Sequence, residues 1–78
     1  MITGEQIRAA REMLRMKQSE LSSLSGLSID TIKRIEAMRG MVSANTNTVT
    51  AIITVLQDQG ITFITKDKDG GPGVRLVE

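Results

Sequence analysis

Cysteine and histidine are both absent from this chain of 78 residues. Without cysteine the protein has neither disulfide bonds nor thiolate metal ligands. Without histidine it lacks the commonest general base and the commonest metal ligand of proteins. The carboxylates are scattered along the sequence, with no glycine-rich phosphate loop and no paired-carboxylate motif. We therefore expect no enzymatic activity, no metal and no other cofactor.

Long apolar runs are missing as well. No window approaches the roughly 18 apolar residues of a membrane-spanning helix, and residues 1–5 lack the basic flank and apolar run of a secretory signal. We therefore expect a cytoplasmic protein with no membrane partner. A chain this short forms one domain that buries only about 60% of its unfolded surface, so a second copy that adds burial is expected.

Residues 18–36 have the pattern of two short amphipathic helices joined at one glycine. Gly26 lies where the chain leaves one helix and starts the next, a place that often requires positive φ. Ser28 supplies a side-chain oxygen to cap the second helix. The inner faces and the turn are expected to be filled by Leu21, Leu24, Leu27, Ile32 and Ile35. Two helices joined so closely form a helix-turn-helix, whose second helix fits the major groove of DNA.

Three further segments surround this motif. Thr3 and Gln6 have the spacing of a capping box, which predicts a first helix over residues 4–14 with the inward stripe Ile7, Ala10, Met13 and Leu14. The motif itself predicts helices over residues 18–25 and 29–37. Ser43 or Asn45 caps a fourth helix that runs to residue 59 and stops at Gly60.

The character of the chain changes after Gly60. Residues 61–65 and 74–77 are predicted strands, separated by a polar turn. The turn contains Lys66, Asp67, Lys68 and Asp69, which could suggest a cation loop but lack the length and ligand pattern of a calcium site. An isolated hairpin is marginally stable in water, so it must pack on the helices, pair with a second copy, or do both. We expect a dimer contact that includes Ile61, Phe63, Val74 and Leu76.

The chain resembles the phage repressor and Cro family of transcriptional regulators, also called the XRE family. The resemblance rests on the pattern Gln18-x-x-Leu21-x-x-Leu24-x-Gly26-Leu27-Ser28-x-x-Thr31-Ile32-x-Arg34-Ile35-Glu36. Residues 70–76, GGPGVRL, are similar to the tails of short bacterial members. The resemblance implies a mainly α, lambda-repressor-like bundle of four to five short helices, with two short C-terminal β-strands. Residues 1–60 would form the DNA-binding domain and residues 61–78 a dimerising extension.

The resemblance also implies roles for individual residues. Arg11 and Glu36 match a partly buried salt bridge between the first and third helices. Gln18 and Thr31 match phosphate-contacting positions, and we add Lys17 and Arg39 to this group. Side chains that would face base edges and the nearby backbone are Ser28, Ile29, Asp30, Lys33 and Arg34.

The sequence departs from the family pattern at three positions. Ser22 stands where alanine is usual, Lys17 replaces a Ser/Thr cap, and Met38 stands where a glycine often ends the recognition helix. Two of the positions expected to face base edges also carry unusual residues. Asp30 either stabilises the first turn of its helix through the helix dipole or accepts a hydrogen bond from cytosine N4. Ile29 either contacts a thymine methyl group or packs locally.

The expected function is sequence-specific binding of double-stranded DNA by a homodimer on a palindromic operator, and hence transcriptional regulation, for example as a repressor. The net charge of only +1 is weak for this role, but the basic residues are concentrated in residues 1–40. The alternative is a protein-interaction module, such as an antitoxin or coactivator, in which the same fold binds another protein and DNA binding is secondary.

Overall fold

Helices dominate the computed structural model, which describes residues 2–77. This range contains four helices and one antiparallel pair of strands: α1 (Gly4–Met13), α2 (Gln18–Ser25), α3 (Ile29–Glu36), α4 (Thr46–Asp58), β1 (Ile61–Ile64) and β2 (Gly73–Leu76). Each boundary lies within one residue of its predicted position, and no fifth helix is present between residues 2 and 77. The predicted DNA-binding domain, residues 1–60, and the predicted extension, residues 61–78, include Met1 and Glu78, which lie outside the described residues.

Local caps explain where the helices begin. The Thr3 hydroxyl accepts a hydrogen bond from the Gln6 N–H at 3.0 Å, and the Gln6 side chain accepts one from the Thr3 N–H at 2.8 Å. This is the predicted capping box. Asn45, rather than Ser43, caps α4, because its side-chain oxygen accepts a hydrogen bond from the Asn47 N–H at 2.8 Å.

The core lies where the four helices and β1 meet. Its fully buried side chains are Ile7, Leu21, Ile32, Ile35, Ile52 and Leu56. Two residues predicted to face inward do not: Met13 is 44% exposed and Leu24 is 56% exposed. The inward stripe of α2 is instead Gln18, Leu21, Ser22 and Ser25, at i, i+3, i+4 and i+7. Leu24 therefore falls beside the stripe, and Met13 is the last residue of its helix.

The two strands form a hairpin whose inner face is apolar. Ile61 lies opposite Leu76, and Phe63 lies opposite Val74. All four side chains face the helices, since Ile61 is 3% exposed and the other three pack against the core. These side chains, which are predicted to take part in a dimer contact, thus pack on the helices of their own chain. Packing of the hairpin on its own helices is thus observed, and its pairing with a second copy in addition stays a prediction.

Gln6 joins the hairpin to α1. Its side-chain amide donates hydrogen bonds to the carbonyls of Ile64, at 3.0 Å, and Gly73, at 2.9 Å. These residues are partners at the end of the sheet nearest the polar turn. One buried side chain thus closes the capping box and holds both strands.

The turn between the strands uses its own carboxylate. The Asp67 side chain accepts hydrogen bonds from the N–H groups of Asp69, at 2.8 Å, and Gly70, at 3.1 Å. This Asx-type arrangement is typical of a solvated turn.

Among residues 2–77, no helix is long and apolar enough to cross a membrane.

Candidate nucleic-acid interface

The turn between α2 and α3 is held by glycine and serine. Gly26 has φ +75° and ends α2, as predicted. A Cβ at this position would meet no atom within 4 Å, so the left-handed backbone, and not lack of space, requires glycine. The Ser22 hydroxyl donates a hydrogen bond to the Leu27 carbonyl, and the Ser25 hydroxyl accepts one from the Leu27 N–H at 3.3 Å. Ser22 thus adds a bond that alanine could not make.

Ser28 caps α3, as predicted. Its hydroxyl accepts a hydrogen bond from the Thr31 N–H at 3.1 Å and lies 2.9 Å from the Thr31 hydroxyl. Because hydroxyl oxygens have two lone pairs, this pair retains hydrogen-bonding capacity. Ser28 is exposed and Thr31 is half-buried. Ser28 and Thr31, both predicted DNA contacts, are therefore held at the start of α3 by the hydrogen bonds between them.

The two faces of α3 differ sharply in chemistry. Ile32 and Ile35 are fully buried and anchor the helix in the core. The opposite face holds exposed side chains that are predicted DNA contacts: Ile29, Asp30, Lys33 and Arg34. Lys33 and Arg34 also lie in the last turn, where the helix dipole favours cations. Asp30 lies in the first turn, where the dipole favours an anion.

A buried carboxylate ties α3 to the other helices. Glu36 accepts hydrogen bonds from Arg11 Nε at 2.8 Å and Arg11 Nη2 at 3.0 Å, which makes the pair bidentate. The Gln18 amide donates a third bond to Glu36 at 3.1 Å, and Arg11 Nη1 donates to the Met16 carbonyl at 2.8 Å. The hydrogen bond to Glu36 raises the pKa of Arg11, against the opposing effect of burial.

This network fixes the orientation of the exposed face of α3. Arg11 belongs to α1, Gln18 begins α2 and Glu36 ends α3, so three helices meet at one carboxylate. The side chains of Arg11 and Glu36 are only 14% and 3% exposed. Charge-assisted bidentate pairs are strongly directional. The predicted Arg11–Glu36 salt bridge is present, and the Gln18 side chain, predicted to contact phosphate, bonds the same carboxylate.

Lys17 begins α2 without a side-chain cap. Its backbone N–H donates to the Glu20 carboxylate at 3.1 Å, which is half of a capping box. A lysine ammonium has no acceptor, so it cannot complete the box. The side chain is exposed beside Gln18, at the start of the helix.

The end of α3 is packed against the start of α1. A Cβ on Gly4 would lie 2.3 Å from the Met38 carbonyl oxygen and 2.7 Å from that of Ile35, so only glycine fits there. The helix stops at Glu36, and the Met38 N–H donates to the Ile35 carbonyl at 3.1 Å. Gly40, with φ +73°, then turns the chain. Met38 therefore does not extend α3, although it replaces the glycine of the family pattern.

The loop after α3 is also fastened to α1. The Gly40 N–H donates to the Glu5 carboxylate at 3.1 Å, and the Gly4 N–H donates to the Gly40 carbonyl at 3.2 Å. Hydrogen bonds from its own backbone N–H and from that of Gly40 lower the pKa of Glu5. Arg39, a predicted phosphate contact, is exposed on this fastened loop.

Arg8 is a candidate contact residue that sequence reasoning missed. It lines a polar cleft together with Arg39, Ala37 and Glu5, at the end of α3. The available signal was the spacing of Gly4, Arg8 and Arg11, at i, i+4 and i+7, which puts Arg8 on the face of α1 that meets α3. Three exposed cations thus lie on segments next to the end of α3: Arg8, Lys17 and Arg39.

No protein-family model matches the chain, and no curated protein matches it significantly. The functional assignment therefore depends on α2, α3 and the loop that follows them.

Proposed function

We propose that this protein is a transcriptional regulator that binds double-stranded DNA sequence-specifically, with a lambda-repressor-like fold and α3 in the major groove. The observation that carries the proposal is the exposed polar face of α3 on a rigidly braced helix. An α-helix with its side chains is about 10–12 Å across, and the major groove is about 12 Å wide. A helix anchored by Ile32, Ile35 and Glu36 can present its other side to base edges.

The exposed side chains of α3 have suitable chemistry for reading bases. Arg34 is the principal reader, because arginine binds the O6 and N7 atoms of guanine with two parallel hydrogen bonds. Lys33 contacts guanine or an adjacent phosphate. Asp30 accepts from cytosine N4, and Ile29 packs on a thymine methyl group. The structural role of Asp30 at the helix dipole is compatible with this contact, since a carboxylate has several lone pairs.

The flanking residues hold the DNA backbone. Lys17, Gln18, Thr31 and Arg39 are assigned to phosphates, which set the register of the helix in the groove. Each neutralised phosphate adds about 0.9 to the slope of log K against log salt. The modest net charge of +1 is compatible with this role because the cations are concentrated on one half of the chain.

A homodimer completes the proposed function. One eight-residue reading helix contacts few base pairs, and two copies related by a two-fold axis would read half-sites about 34 Å apart. Such an arrangement predicts a palindromic operator. The hairpin is the proposed site of association.

Selection of bound sequences from random duplex DNA tests the proposal. We expect a palindromic consensus with half-site centres separated by one helical turn. Arg34→Ala should weaken binding to the selected site by about 1–3 kcal/mol and relax the preference at one base pair. Lys68→Ala is the control, because Lys68 is an exposed cation in the polar turn, outside both strands, and it should leave binding unchanged. No enrichment of any sequence would refute the proposal.

The alternative, a protein-interaction module, is favoured by one observation. An apolar cleft lies between the start of α1, the loop after α3 and the polar turn, beside Met41, which is 59% exposed. A protein segment bound there would not contact Arg34. Arg34→Ala would then leave partner binding intact, whereas Met41→Lys would weaken it.

A further inference from the structure

Arg8 lies between two contacts that fasten α1 to the end of α3. At the start of α1, a Cβ on Gly4 would lie 2.3 Å from the Met38 carbonyl oxygen. Two turns further along the helix, Arg11 binds Glu36. Because residues at i, i+4 and i+7 share one face of a helix, Arg8 projects from α1 at the level of the last residues of α3.

A polar cleft of about 290 Å³ lies at this place. Its lining comes from the first turns of α1, the end of α3 and the start of the following loop: Glu5, Arg8, Glu36, Ala37, Met38 and Arg39. Arg8 and Arg39 are exposed, and neither belongs to an ion pair within residues 2–77. Two guanidinium groups without a carboxylate partner therefore border one cleft.

The charges around the cleft favour an anion. Glu36 is neutralised by Arg11, since the two form a bidentate pair. Among the lining residues, the two arginines then face one remaining carboxylate, that of Glu5, which leaves an excess of positive charge. Hydrogen bonds from backbone N–H groups lower the pKa of Glu5, and the charges of Arg8 and Arg39 lower it further. Both arginines thus act electrostatically on the cleft.

Hydrogen bonds hold the backbone around the cleft in place. The Gly40 N–H donates to the Glu5 carboxylate at 3.1 Å, and the Gly4 N–H donates to the Gly40 carbonyl at 3.2 Å. The positive end of the α1 dipole therefore lies against the negative end of the α3 dipole, and their partial charges offset each other. An anion in the cleft would consequently interact mainly with the guanidinium groups.

The cleft continues the exposed face of α3. Ala37 lies one turn after Lys33, and its N–H donates to the Lys33 carbonyl at 3.1 Å. Both residues are exposed, and residues four apart lie on the same face of a helix. A ligand in the cleft would therefore lie at the end of the face that is proposed to enter the major groove.

We propose that Arg8 and Arg39 form a clamp for one phosphate group, supplied by the DNA backbone beside the major groove. Arginine suits this role because its planar guanidinium binds phosphate oxygens with two parallel hydrogen bonds. The source of the phosphate rests on the proposed function, whereas the clamp itself does not. Since phosphates carry no base identity, the clamp adds affinity and fixes the register without changing the sequence preference.

Fluorescence anisotropy with duplex DNA at several salt concentrations tests the clamp. Arg8→Gln should weaken binding about tenfold, and by the same factor for a selected site and for a random duplex. The double variant Arg8→Gln/Arg39→Gln should lower the slope of log K against log salt by about 0.9, the value for one phosphate. Lys68→Gln, at an exposed position in the polar turn, is the control and should bind like the unmodified chain.

Glu5→Gln supplies a change of the opposite sign. A glutamine oxygen can still accept the hydrogen bond from the Gly40 N–H, so the loop stays fastened while the negative charge beside the clamp is removed. DNA binding should therefore tighten at low salt. If this part of the molecule had only a structural role, Glu5→Gln would not tighten binding, and such a result would count against the clamp.

Titration with inorganic phosphate, followed by NMR at constant ionic strength, separates the clamp from the source of its phosphate. A saturable shift of the Arg39 Nε–H signal that Arg8→Gln abolishes, together with unchanged DNA binding by that variant, would assign the clamp to free phosphate and overturn the DNA assignment. Unchanged DNA binding without such a shift would overturn the clamp.

Failure of the proposed function gives a different result. A chain that binds duplex DNA through Arg8 but enriches no sequence would refute the proposed function and leave the clamp standing. If the chain binds no duplex, the proposed function is refuted and the phosphate titration alone decides the clamp: a saturable shift supports it, and no shift overturns it.

Discussion

Replacing Arg11 by methionine leaves a buried carboxylate without its cation. Glu36 would keep the Gln18 amide but lose both bonds from the guanidinium, at 2.8 and 3.0 Å. Its side chain is 3% exposed, so water cannot readily replace those donors. Breaking a buried pair in this way costs about 3–5 kcal/mol. Domains of this size are marginally stable, so the loss is a large part of the free energy of unfolding.

Urea unfolding followed by circular dichroism measures this loss. Arg11→Met should lower the free energy of unfolding by about 3–5 kcal/mol, and the thermal midpoint by roughly 4–8 °C for each kcal/mol. Arg8→Met is the matched control on the same helix, because Arg8 is exposed and makes no ion pair within residues 2–77. Its effect should stay within about 0.5 kcal/mol.

The double variant Arg11→Met/Glu36→Leu separates the pair from its isolated charge. Removing both charged groups also removes the unpaired carboxylate, so the double variant should be more stable than Arg11→Met. Equal losses for Arg11→Met and Arg8→Met would refute the reasoning. A double variant no more stable than Arg11→Met would show that packing, not charge, dominates at this junction.

Three further predictions concern how α1 is fastened. Gly4→Ala should destabilise the fold by about 1–3 kcal/mol, because the new Cβ would overlap backbone carbonyl oxygens; Gly71→Ala, which meets no atom within 4 Å, should be near neutral in the same urea titration. Gln6→Glu should selectively speed amide hydrogen exchange in the hairpin, because an ionised carboxylate cannot donate to its two carbonyls; unchanged exchange would contradict the assigned bonds. In the folded protein the pKa of Glu5 lies below the ordinary value of 4.5. The stability that the ionised Glu5 side chain contributes is therefore present above pH 4.5 and is lost as the pH falls through the folded-state pKa. Glu5→Gln should flatten the fall in stability below pH 4.5, and a parallel fall in both proteins would argue against the Gly40 contact.

Helix positions could be predicted from the sequence because their determinants are local. The Thr3–Gln6 capping box, the Ser28 cap and the glycine at position 26 all act within four residues. Each limits its helix by satisfying backbone groups at the terminus or by reversing the chain. The Arg11–Glu36 pair lies outside this range and was predictable only by family resemblance.

Other features depended on tertiary packing that the sequence does not encode locally. Leu24 has the spacing of a core residue, but the neighbours of α2 select a stripe centred on Leu21. The hairpin residues alternate as expected, yet periodicity alone does not show whether their apolar face meets the helices or a second copy. Arg8 became a candidate contact only when the loop that carries Arg39 was placed beside it.

The two hydrogen bonds of Gln6 to the hairpin also affect the order in which the chain can fold. They join residues 58 and 67 positions apart, so the start of α1 gains both bonds only after residue 73 has been synthesised. Contacts of such long range form late and link distant segments into one cooperative unit. Removing residues 61–78 would leave the Gln6 amide without acceptors and take Ile61 out of the core. A truncated chain would consequently report on folding as much as on association.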